Sequence, residues 1–120
     1  TNMTGYGIVF ANCDGLHVHG NILRSISLIG ITNIVPSTNL RIQITQNTLI
    51  TCGSSGIVFD DSDGTLIQGN RCVSCGASTS AATLQVNGML GGMIAGNIIT
   101  NGASTGILLT SVTRTVVSDQ

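Results

Sequence analysis

The chain has 120 residues, 42% of them hydrophobic and 8% charged, with 16 glycines, one proline and a formal charge of −1. That much apolar content with so little charge excludes a disordered segment, and four basic residues against five acidic ones give no basic patch for nucleic acid. No apolar run approaches the ~18 residues of a membrane span and no charged n-region opens the chain, so a single domain over residues 1–120 is expected, with Thr1 suggesting a piece of a longer protein.

Along the chain the same unit returns. Gly7-Ile8-Val9-Phe10 opens the first, Cys13-Asp14-Gly15 follows, and Val18-His19-Gly20-Asn21 closes its second strand. The stretch Gly56-Ile57-Val58-Phe59, Ser62-Asp63-Gly64 and Ile67-Gln68-Gly69-Asn70 repeats that layout without a gap. Unit heads fall at Gly7, Gly30, Gly56, Thr83 and Gly106, separated by 23, 26, 27 and 23 residues. Asn21, Asn47, Asn70, Asn97 and Asp119 follow their own heads by 14, 17, 14, 14 and 13 residues. Extra residues enter near Pro36 and near Ala77 to Ser80. A period in the twenties means a solenoid.

Within each unit apolar residues alternate, the strand period rather than the helical one. The first strand turns Ile8 and Phe10, Ile57 and Phe59, Leu84 and Val86, or Ile107 and Leu109 to one side, and Asn33 stands where the other units carry a large apolar residue. The second turns in Leu16 and Val18, Ile42 and Ile44, Ile67, Ile94 and Val116, with Arg114 in the remaining inward position of the last unit. The third, after the asparagine, offers Leu23, Leu49, Cys72 and Ile99, then Ile26, Cys52, Cys75 and Gly102. Stacked about 4.8 Å apart, these columns would form one continuous core that no single unit could bury alone. The fold class predicted is all-β, a parallel β-helix of about five coils with three short strands per coil. Glycine before asparagine suits a turn, because both tolerate left-handed backbone and asparagine side chains can bond along a stack.

The pattern G-I-x-F … D-G-x-x-I-x-G-N resembles the coil repeat of the right-handed parallel β-helix, the pectin-lyase-like superfamily, over the whole chain. The resemblance implies either a polysaccharide lyase, hydrolase or epimerase, or a structural, receptor-directed segment of a phage tailspike or neck appendage. The second is the expected class, which would place the chain in a virion or otherwise outside the cell, as a homotrimer contacting a cell-surface polysaccharide. Leu66, Met89 and Met93 are assigned to an outward apolar strip for the trimer contact, since exposed apolar strips mark interfaces. Ser118-Asp119 resembles the self-cleavage junction of phage appendage chaperones, and Asp119 equally replaces the ladder asparagine.

Chemistry-bearing residues are few. Asp60, Asp61 and Asp63 are the catalytic candidates if the chain is an enzyme, where paired carboxylates would serve acid/base cleavage. The same acidic edge could hold Ca²⁺, as in pectate lyases, although no cofactor is otherwise expected. An Asp-rich turn explains Asp14 and Asp63 without any site. Asp14, His17, His19, Arg41 and Gln43 are the substrate-binding candidates, a polar row on the outer face of the second strands that reads either as a glycan surface or as a solvated face. No metal site is expected. Cys72-Val73-Ser74-Cys75 lacks a second ligand pair and falls in core columns, and the His17-Val18-His19 pair lacks a Cys, Asp or Glu at a suitable repeat position to complete a shell. Cys52 and Cys75 share a column at a spacing a disulfide permits, but stacked free thiols suit it better.

Overall fold

A computed structural model describes residues 5–34, 39–76, 82–102 and 105–118, and the backbone alone at 61, 62, 113–115 and 118. Every regular element in it is a strand. The chain winds through β1 (Ile8–Phe10), β2 (His17–His19), β3 (Ile22–Ile26), β4 (Ile31–Asn33), β5 (Asn39–Leu40), β6 (Gln43–Thr45) and β7 (Thr48–Cys52). It continues through β8 (Ile57–Gln68), β9 (Arg71–Val73), β10 (Leu84–Ala95), β11 (Ile98–Thr100), β12 (Ile107–Thr110) and β13 (Thr113–Ser118). All pairings are parallel. One sheet runs β1-β4-β8-β10-β12 with the second-strand segments attached, and the other runs β11-β9-β7-β3. Among the described residues this is a β-solenoid of about four turns with a partial fifth. In the third and fourth coils the expected first and second strands are continuous as β8 and β10, and in the second coil the short β5 enters between the expected first and second strands. The extra residues near Pro36 and Ala77 to Ser80 lie outside the described residues.

The register explains why the sequence repeats. Ile8, Ile31, Ile57, Leu84 and Ile107 stand opposite one another from coil to coil. The middle three are buried, whereas Ile8 and Ile107 in the outer coils are half-exposed, as a stack whose end coils have one neighbour requires. Glycine heads the coils for a steric reason. A Cβ on Gly30 would lie 2.7 Å from the Gly56 carbonyl oxygen and would collide with Leu49, so only hydrogen fits between the first-strand sheet and the third-strand side chains. Asn33 fills its apolar column by acting as backbone. Its Nδ2 donates to the Asp60 carbonyl at 2.7 Å and its Oδ1 accepts from the Asp60 N–H at 2.9 Å. The space this leaves lets Phe10 and Phe59 meet across the intervening coil, ring centroids 5.6 Å apart.

The asparagine ladder is the second organising element. Oδ1 of Asn47, Asn70 and Asn97 each accepts the N–H and the Nδ2–H of the asparagine one coil earlier, at 2.9–3.1 Å. Nδ2 of the same three also donates to Val18, Ile44 and Ile67 carbonyls in the preceding coil, at 2.9, 2.8 and 3.1 Å. These amides are buried, and no buried side-chain polar atom among the described residues lacks a partner. The corner before each asparagine is left-handed at Gly20, Gln46, Gly69 and Gly96, so in the second coil a glutamine adopts a conformation that glycine supplies elsewhere. Replacing Gln46 by Gly should therefore be neutral or stabilising in thermal melts despite the greater freedom of the unfolded glycine, because a non-glycine residue at φ 56° carries strain.

Three assignments are corrected. Val117, not Val116, stands opposite Ile94, and Thr115, not Arg114, stands opposite Gly92. The offset of 23 residues from Leu84–Ile107 is kept through Ala95–Ser118, so anchoring the last coil on Asp119 shifts it by one residue. Asp119 itself lies outside the described residues. Met89, assigned to the outward strip, is only 1% exposed. It pairs with Ser62 at the corner between first and second strands, where its flexible side chain fills core volume. Leu66 and Met93 do face outward, in the row that runs His17, Gln43, Leu66, Met93, Val116.

Candidate functional site

The corner between the first and second strands brings the acids to one edge, but each described one is occupied or dispersed. Asp14 pairs with Leu40, and Leu40 with Asp63, so the two carboxylates share a column two rungs apart, about 10 Å at strand spacing. Arg41 lies between them at a left-handed corner, φ 52°, where the first and third coils have Gly15 and Gly64. Its guanidinium reaches Asp14 at 2.5 Å, with the side chains 71% and 51% exposed. An ion pair this open to water contributes little to stability, and its effect is to neutralise the edge. Asp60 Oδ1 accepts from Asn87 Nδ2 at 2.5 Å, one coil further on. Asp63 is exposed, and the Asp61 side chain lies outside the described residues. The edge therefore carries turn and ladder contacts.

On the outer face of the second strands, β2 lies against β6 with His17 opposite Gln43 and His19 opposite Thr45. Strand alternation turns both imidazoles outward while Val18 between them enters the core. The rings converge: His17 Nε2 and His19 Nδ1 each lie 2.8 Å from Thr45 Oγ1, with ring centroids 5.0 Å apart. A single hydroxyl proton can serve only one of them, so at least one imidazole donates its own N–H to Thr45. The repeat pattern does not single out Thr45. The register puts it directly opposite His19 and diagonal to His17 on the same face, and the rotation of both rings, which no pattern carries, brings them to its hydroxyl. Gln43 is exposed in the same row.

A third feature is a shallow groove of about 320 Å³ over the first-strand sheet, lined by Tyr6, Val9, Ile29, Thr32, Asn33, Ile34, Val58 and Asp60. It joins the chain's one tyrosine to the acidic edge.

The cysteines form a cluster inside the coil. Cys13, Cys52, Cys72 and Cys75 are all free thiols, and the last three are buried. Hydrogen bonds to Cys75, followed by burial, push the Cys52 and Cys72 thiols far above the ordinary range, so both remain protonated. The bonds from Cys52 and Cys72 act to lower Cys75, but its sulfur also lies 3.6 Å from the Leu49 carbonyl and 3.7 Å from that of Val73. Carbonyl oxygens repel a thiolate, and a neutral S–H directed at them fits that surrounding better. Among the described residues no group of three or more His, Cys, Asp or Glu side chains is placed to hold a metal ion.

Parallel coils, stacked apolar columns and a buried asparagine ladder define the class, a parallel β-helix. A family model described as "Periplasmic copper-binding protein (NosD)" matches residues 1–118, and the chain belongs to that family. No curated protein and no solved structure matches the chain. The match agrees with the β-helix expectation and lends nothing to the tailspike or virion one, since the family's description is periplasmic. Among the described residues no helix is long and apolar enough to cross a membrane.

Proposed function

We propose that this chain is a copper-binding, non-catalytic β-helical domain of a periplasmic protein. The observation that carries this reading is that the copper-binding family model spans residues 1–118, the entire solenoid, so the β-helix is the part to which the family's description applies. The acidic edge supports it from the other side. Among the catalytic candidates Asp60 is engaged by Asn87, and Asp14 at the same edge is paired with Arg41, so both carboxylates hold neighbouring coils together. The imidazoles are the paired, accessible donors best suited to copper here, because three of the four thiols are shut inside the core and Cys13 stands alone. Equilibrium dialysis of the folded chain against Cu(II), Zn(II) and Ni(II), with glycine as competing chelator, tests the reading. Selective retention of copper is expected, and retention of none of the three would overturn it.

A saccharide-binding reading is favoured by one observation, the groove that places exposed Tyr6 beside Asp60. An aromatic face next to a carboxylate offers stacking and hydrogen bonding to a sugar ring. On that reading Tyr6→Ala abolishes retardation of the chain in polysaccharide-containing native gels and no cleavage product appears. Equal retardation of the parent and the variant would remove it.

A further inference from the structure

We propose that His17 and His19 together form a surface Cu(II) site on the second-strand face, a deepening that rests on the copper-binding reading above. The chain has only two histidines, and the fold brings both to one hydroxyl oxygen. Nitrogens that each lie 2.8 Å from a common atom, Thr45 Oγ1, are already directed at a shared point. Metal–imidazole bonds are about 2.0 Å, so the two exposed side chains rotate off the Thr45 hydroxyl to chelate an ion beside it. A neutral imidazole can move its proton to the opposite ring nitrogen, which frees the converging lone pairs without a change in charge.

The scaffold favours the site in three ways. Strand β2 holds the two histidines at i and i+2 on one face, and Val18 between them is 6% exposed and locked in the core, so the backbone is ordered before the ion arrives. Thr45 gathers both rings from the neighbouring strand before the ion arrives and gives up the two nitrogens when it binds. Arg41, in the corner leading into β6, is ion-paired to Asp14, so its charge is compensated before a cation approaches. Two nitrogen ligands do not fill a copper shell, and no further His, Cys, Asp or Glu joins them among the described residues. Water completes it, which leaves the ion exchangeable. Imidazole donors with open positions select Cu(II) over Ni(II) and Zn(II) by the ordinary order of divalent affinities.

The test uses the parent chain, His17→Gln, His19→Gln and the double variant, each checked for the parent's β-sheet circular dichroism and melting temperature. Both positions are exposed, so the fold is expected to persist. Cu(II) chloride is titrated against citrate, whose oxygen donors give no nitrogen coupling, and the bound fraction is read by electron paramagnetic resonance. The parent is expected to show one type-2 signal with coupling to two nitrogens. Each single variant should weaken binding at least about tenfold and the double variant should lose the two-nitrogen signal, since one imidazole without its neighbour gives up the chelate. Copper bound as tightly, with the same signal, by the double variant overturns this assignment while leaving the copper-binding reading intact. Absence of copper from the parent overturns both.

Discussion

Ile57→Asp is expected to unfold the chain. Ile57 is 1% exposed and lies between Ile31 and Leu84 in the inward column of the first strands. Among the described residues no cation lies in the core to meet an aspartate there, and burying a carboxylate without a partner costs several kcal/mol or forces its protonation. Domains are stable by only about 5–15 kcal/mol, so one such change consumes much of the margin. In a solenoid the loss spreads, because each coil is held only by its neighbours and a broken third coil leaves two short stacks. The comparison is Val58→Asp, one residue on and directed outward, where water reaches the new carboxylate and the cost should be a small fraction of the first. Urea unfolding followed by circular dichroism separates them. A parent-like midpoint for Ile57→Asp would mean that the column assignment is wrong.

The second large effect is expected from Asn70→Leu, a change that keeps the branched heavy-atom shape and removes hydrogen bonding. Asn70 Oδ1 accepts the N–H and Nδ2–H of Asn47, and Asn70 Nδ2 donates to the Ile44 carbonyl and to Asn97 Oδ1. Leucine would strand two donors of Asn47, which is itself 1% exposed, and deprive a buried carbonyl. At about 1–3 kcal/mol for each buried polar group left unpaired, the loss is at least about 3 kcal/mol. Asn70→Asp should be as damaging or worse. It restores the acceptors but places negative charge against the Ile44 carbonyl and Asn97 Oδ1, the two oxygens that now receive hydrogens. A melting temperature for Asn70→Leu within a degree or two of the parent would show that the ladder is dispensable.

These two positions also show what the sequence makes legible. Column and ladder are visible because every coil must solve the same packing problem, so apolar positions and asparagines recur at nearly constant spacing. The departures are harder to read for physical reasons. Met89 follows the strand alternation of an outward residue, yet the bend at the corner turns it inward, and a period of two does not register a bend. The last coil slips by one residue because Asp119 imitates a ladder asparagine, although the shortened spacing of 13 after Gly106 already marks the mismatch. Arg41 occupies a left-handed corner that glycine supplies in other coils, and its pairing with Asp14 depends on that backbone. The histidine pair was visible as an outward pair. Its convergence on Thr45 was not, because it depends on the position of a side chain 26 residues away from His19 and on the rotation of both rings.

Copper stoichiometry of the folded chain tests the account most directly. Native mass spectrometry of the parent, equilibrated with Cu(II) at a few-fold excess over glycine-buffered competitor and then desalted, should show one copper per chain with the charge-state distribution of a compact protein. A folded chain that carries no copper under those conditions, or one that takes up several ions without a preferred first, would contradict it.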